Sequence, residues 1–164
     1  MVRPLPDEKL SIQHLVTYGL MSLNFWQTKT LTEMTHDEWE SLCDGCGKCC
    51  LHKLEDEDTG EVHYTNVACR LLSLNTCRCT NYTQRTQLVP DCLDLKQHQI
   101  SEFGWLPSTC AYRLVAEGDD LPTWHPLVSG MPSSVVNAGV SIRSFAIPEA
   151  QAHNLEDHVI KWLE

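Results

Sequence analysis

Residues 43–50 read Cys43-Asp44-Gly45-Cys46-Gly47-Lys48-Cys49-Cys50, four cysteines in eight positions. Five more follow at Cys69, Cys77, Cys79, Cys92 and Cys110, and none lies outside residues 43–110. A Cys-x2-Cys step brings two sulfurs onto one ion within a tight turn, and Gly45 and Gly47 leave the backbone free to fold around it. Thiolates are soft ligands that suit zinc, copper(I) and iron–sulfur centres. The clustering points to a thiolate-bound metal centre, with all nine cysteines as candidate ligands.

Disulfides fit this pattern poorly. Nine is an odd number, and adjacent Cys49 and Cys50 do not readily join each other. One tetrahedral ion takes four sulfurs and two ions take eight. Vicinal cysteines usually send their side chains apart, which favours more than one metal or a polynuclear centre. His52 and His125 are possible extra ligands, each with an ordinary hydrogen-bonded alternative. Segment 43–92 is poor in apolar runs, so the metal is expected to supply part of its folding energy.

The chain has 164 residues, a length for one domain, with formal charge −10 from 22 acidic and 12 basic residues. That balance argues against nucleic acid as a partner, which needs a basic surface, and against an anionic membrane. No apolar run is long enough to span a bilayer. The N-terminus lacks a secretory core. A cytoplasmic chain with reduced thiols is the expectation. Residues 1–20 read as an extension and residues 21–164 as the cysteine-cluster domain. Residues 10–26 have the pattern of an amphipathic helix.

The coarse pattern is α+β: mainly short helices, one hairpin and irregular segments pinned by metal. Thr35 and Glu38 form a capping box for a helix over 36–43, with Met34 placed to staple onto Trp39. A hairpin runs through 51–67, turning at Asp58-Thr59-Gly60. After the acidic run 55–58 the glycine is misplaced for a calcium loop and no glutamate closes it. Residues 69–92 should be mostly irregular. A short helix is expected over 96–104, and another through Cys110–Glu117, capped by Ser108 or Thr109 and stopped at Gly118. Residues 121–130 read as extended, Ser141–Ile147 as a strand, and Glu149–Trp162 as a last helix with Leu155, Val159 and Trp162 on one face.

The CDGCGKCC stretch, with Cys79-x2-Tyr82-x2-Arg85 and Pro90-x-Cys92, resembles the bacterial CxxCxxCC cysteine-cluster family of the YkgJ type. From about Phe25 onward the chain looks like its YcgN branch, through FWQTKTLTEM, EWESLCDGCGKCCLHKL, TNVACRLL, TCRCTNY, WLPSTCAYRL and WHPLVSG. The resemblance implies zinc or iron chelation and supplies a site without a reaction. It singles out Cys43, Cys46, Cys49, Cys50, Cys69, Cys79 and Cys92, with Cys77 and Cys110 less clearly marked. Arg85 then reads either as a donor to the sulfurs, with Tyr82 as a lid over them, or as part of a surface ion pair. The leading functional reading is a non-catalytic metal-binding protein. The alternatives are a redox or methyl-transfer enzyme component, since the flagellin lysine methylase family carries a similar cluster, and a metal chaperone.

Overall fold

The computed structural model describes residues 24–161. The expectations for residues 1–20, for most of the 10–26 helix and for Trp162 lie outside them. The architecture is a small α+β fold of short elements. The chain enters through helix α1, Phe25–Thr28, and a 3₁₀ turn, Leu31–Glu33. Helix α2, His36–Ser41, starts at Thr35, whose hydroxyl accepts from the Glu38 N–H while Glu38 closes back on the Thr35 backbone. Two donors at the start of the helix are thereby satisfied. The cysteine loop follows, ending in a 3₁₀ turn, Lys48–Cys50.

Strands β1, Leu51–Glu55, and β2, Val62–Ala68, make the expected antiparallel hairpin. Asp56 closes its turn by accepting from the N–H groups of Asp58 and Thr59. A minimal second hairpin pairs β3, Leu72–Ser73, with β4, Arg78–Cys79. Helix α3, Arg85–Leu88, and 3₁₀ turns at Leu95–Gln97 and Ile100–Trp105 lead to helix α4, Ala111–Glu117. The helix expected over 96–104 is thus two 3₁₀ turns. Gly118 stops α4 at φ 83° as expected, but Cys110 occupies the N-cap in place of Ser108 or Thr109.

The C-terminal third departs most from the sequence reading. Residues 121–130 are not wholly extended: helix α5, Pro126–Ser129, starts on the preset φ of Pro126 and on the His125 imidazole, which accepts from the Leu127 N–H. Helix α6, Ser134–Asn137, follows. The expected strand Ser141–Ile147 is mostly a 3₁₀ turn, Ile142–Ser144, because the Ser141 hydroxyl accepts from the Arg143 N–H. Only β5, Ile147–Pro148, pairs, parallel to β2 at Val67 and Ala68. Pro148 has no N–H to continue the ladder.

The expected final helix is replaced by 3₁₀ turns at Glu149–Gln151 and Leu155–His158, the second capped by Asn154. The segment then bridges back to β2 through Thr65 and Val159, and the Ile160 N–H donates to the Tyr64 carbonyl at 2.8 Å. Val159 points outward, while Ile160 packs on the core. Among the described residues no helix is long and apolar enough to cross a membrane.

Two apolar clusters form the core. One gathers Trp26, Trp39, Leu42, Phe103, Leu106 and Tyr112, with Cys43, Cys49 and Cys110 against it. The other gathers Leu51, Tyr64, Ala68, Leu72, Cys77 and Ile142, with Cys50 against it. The cysteine loop therefore lies at the junction of the two clusters.

Candidate metal centre

The loop owes its path to glycine. Gly45 and Gly47 sit at φ 75° and 80°, left-handed values that side-chain-bearing residues avoid. Gly47 also has no room for a side chain: a Cβ there would meet the Ile142 side chain at 2.8 Å. Ile142 is locked onto the loop by its N–H, which donates to the Cys46 carbonyl at 3.0 Å. The Arg78 guanidinium lies against Gly45.

This path aims backbone donors at sulfur. The Cys43 sulfur accepts from the Gly45 N–H, and the Cys46 sulfur from that of Lys48. Cys110, at the N-cap of α4, accepts from the N–H groups of Tyr112 and Arg113. Such bonds favour the thiolate over the thiol. They are outweighed by burial, which pushes the Cys43 thiol up to about 11 and the Cys110 thiol up to about 12. Burial also raises Cys46 well above its ordinary value, with the Asp44 carboxylate adding to the effect.

Cys49 and Cys50 do not diverge as vicinal cysteines usually do. The 3₁₀ turn sets their sulfurs 4.0 Å apart. The Cys50 thiol donates to Cys49, which lowers the Cys49 thiol to about 7, helped by the nearby Lys53 ammonium. The same bond holds the proton on Cys50. A negative charge on Cys49 is felt at Cys43, Cys46 and Cys110.

A second group comes from the hairpins. The Cys69 N–H donates to the Cys50 carbonyl at 2.9 Å, so the β1–β2 register carries Cys69 beside the loop. Cys79 pairs with Leu72 across β3–β4. Cys92 is raised by burial, and Cys69, Cys79 and Cys49 all act on it. Eight cysteines thus share one electrostatic neighbourhood. Among the described residues, no three His, Cys, Asp or Glu side chains already converge on one ion position. The sulfurs would have to close onto an ion.

Cys77 differs. It is buried in the second cluster, its sulfur 3.4 Å from the Ser141 hydroxyl, at φ 50°. All nine cysteines are free thiols.

Sequence reasoning missed Lys53. Its ammonium donates to the carbonyls of Cys49 at 2.7 Å and Leu51 at 2.9 Å. It stands over the rings of Tyr64 and Trp105, at 5.2 Å and 5.0 Å. Burial lowers its pKa, against the pull of Cys49, Cys50, Cys92 and Cys69. It is a cation set between the two thiol groups. The only sequence signal was a lysine three positions past the last cysteine of the loop.

The other candidates resolve differently. His52 bonds Glu149 at 2.9 Å. His125 is fully buried; one ring nitrogen meets the Leu42 carbonyl at 3.0 Å and the other accepts from Leu127. Both ring nitrogens of His125 are thus engaged, while His52 keeps Nδ1. Arg85 stacks on the Tyr82 ring, donates to the Tyr82 carbonyl and pairs with Asp94 at 3.3 Å. Its charge reaches Cys92, which it pulls down. Tyr82 is about half exposed and donates to Glu40, so it is no lid over the sulfurs.

The donor chemistry fits a thiophilic cation: soft sulfurs, amide donors facing them, and a buried carboxylate oxygen of Asp44 with no partner. The chain is 57% identical to a UPF0260 protein of Granulibacter bethesdensis, over 86% of this chain and 85% of the relative. It is 60% identical to one of Rhizorhabdus wittichii, over 83% and 93%. The chain belongs to the UPF0260 family. The UPF0260 protein YcgN of Salmonella agona is 52% identical over 88% of this chain and 97% of its own. Residues 42–111 of this UPF0260 member match the CxxCxxCC family model, described as "Putative zinc- or iron-chelating domain". That span begins one residue before Cys43 and ends one after Cys110. No solved structure matches.

Proposed function

We propose that this chain is a metal-binding protein of the cytoplasm that holds a thiolate-bound zinc or iron–sulfur centre, and that the centre is structural. The observation that carries the reading is the placement of the cysteine loop between the two apolar clusters, with Lys53 at its back. A bound ion would tie Cys43, Cys49 and Cys110, which lean on the first cluster, to Cys50, which leans on the second. The ion would supply positive charge in place of the thiol protons, and its affinity would appear as folding free energy. Gly45, Lys48, Tyr112 and Arg113 would hold the sulfurs in place through their N–H groups, while Lys53 and Arg78 offset surplus negative charge. Cys69, Cys79 and Cys92 are assigned to the same centre or to a second ion beside it.

The test is composition. Protein isolated without oxygen should contain at least one tightly held ion per chain, with zinc, iron and acid-labile sulfide measured together with the visible spectrum. Removing the ion with a chelator should lower the melting temperature. Folded, metal-free protein with nine titratable thiols and an unchanged melt would overturn the proposal. A cavity of about 300 Å³ lies near Met34, Trp39, Leu95, Lys96 and Phe103 and is lined by no cysteine. It gives the enzyme reading no support at the thiol region.

A further inference from the structure

Asp44 stands inside the thiol group and has an unsatisfied atom. Its Oδ1 accepts from the Cys46 N–H at 2.9 Å, which fixes the carboxylate in the loop. Its Oδ2 is buried and meets no hydrogen-bond donor among the described residues. A buried carboxylate oxygen without a partner is expensive, because it loses water and gains nothing. The carboxylate lies near enough to Cys43, Cys46, Cys49 and Cys110 for its charge to act on each of them. A cation held between this oxygen and the sulfurs of the loop would supply the partner it lacks.

We infer that Asp44 is an oxygen ligand of the metal centre, completing a mixed sulfur and oxygen donor set with cysteines of the loop. The inference rests on the metal reading above and narrows it. A carboxylate is a hard donor that suits zinc or iron and is a poor match for copper(I). The Asp44–Cys46 hydrogen bond ties one oxygen to the loop backbone and leaves the other, buried, as a free acceptor.

The test is X-ray absorption at the zinc edge of the zinc-loaded full chain. One light scatterer at about 2.0 Å is expected beside sulfurs at about 2.3 Å. Asp44→Asn keeps the shape and the acceptor for the Cys46 N–H. It should lose that scatterer and give up zinc to a chromogenic chelator about tenfold more readily or worse. An all-sulfur shell in the parent chain overturns the inference and leaves the metal proposal standing. So does a light scatterer that persists in Asp44→Asn with parental zinc retention. A chain that takes up neither zinc nor iron overturns both, and one that takes up iron alone is read in the same way at the iron edge. The parent spectrum decides the question even where the variant folds poorly.

Discussion

The ammonium of Lys53 donates to the carbonyl of Cys49 at 2.7 Å, returning from strand β1 onto the turn that precedes it. The bond fixes a positive charge behind the vicinal cysteines. The charge is partly withdrawn from water, yet it faces Cys49, Cys50, Cys69 and Cys92. A cation in that position gains most when those sulfurs are thiolates. Lys53 and the thiolate state therefore stabilise each other.

Lys53→Met keeps the apolar stem against Tyr64 and Trp105 and removes the charge. It should weaken metal retention about tenfold or more in competition with a chelator. Lys53→Arg restores charge with a bulkier head and should recover part of the loss. Equal retention in the parent and Lys53→Met would remove Lys53 from the centre.

Gly47→Ala tests the loop path. Gly47 and Gly118 share nearly the same backbone, at φ 80° and 83°, but a Cβ meets Ile142 at 2.8 Å in the first and open space in the second. Gly118→Ala should cost about 1–2 kcal/mol for the left-handed backbone. Gly47→Ala should cost about 1–3 kcal/mol more for overpacking. Denaturant unfolding of the two variants measures the difference directly.

Local chemistry explains which parts of the fold could be read ahead. The capping box of Thr35 and Glu38, the β1–β2 hairpin and the stop at Gly118 each depend on residues within a few positions of one another. The cysteine loop was legible because its spacing and glycines lie in one stretch. The C-terminal segment was not. Ile142 leaves a strand pattern because it docks on Gly47 and Cys46, far away in sequence, and Asn154 breaks the helical period of residues 149–162 with a cap of its own. Lys53 was illegible for a similar reason. Its partners Tyr64 and Trp105 meet only in the tertiary structure, where the Tyr64 hydroxyl donates to the Trp105 carbonyl at 2.6 Å.

His125 should be a pH-sensitive element of the fold. Burial lowers its pKa, so the folded chain keeps it neutral after the unfolded chain has taken up a proton. Its contribution is complete above the ordinary histidine value of about 6.5 and declines as pH falls through that value toward the lower folded one. His125→Leu leaves the Leu42 carbonyl and Leu127 N–H without their partner, at about 1–3 kcal/mol for each buried group. Between pH 7.5 and 5.5 the parent should lose stability more steeply than His125→Leu, measured by denaturant unfolding. Parallel losses would mean that His125 is not held neutral.

The nine cysteines should separate into two functional kinds when replaced singly. The Cys77 sulfur faces the Ser141 hydroxyl at 3.4 Å inside the second apolar cluster, in the small β3–β4 hairpin, where it fills space beside Gly47 and Ile142. Cys46 is also buried, but it receives the Lys48 N–H and lies beside Asp44 and Cys49. Cys77→Ala should keep the parental metal content and lose about 0.5–3 kcal/mol of stability through packing alone. Cys46→Ser should lose metal and, with it, the tie between the two clusters, so that its melt resembles that of chelator-treated parent protein. Metal content per chain and the melting profile of each variant decide the matter. If Cys77→Ala sheds metal as fully as Cys46→Ser, then Cys77 is a ligand, and the sulfurs must rearrange across the β3–β4 hairpin to reach the ion.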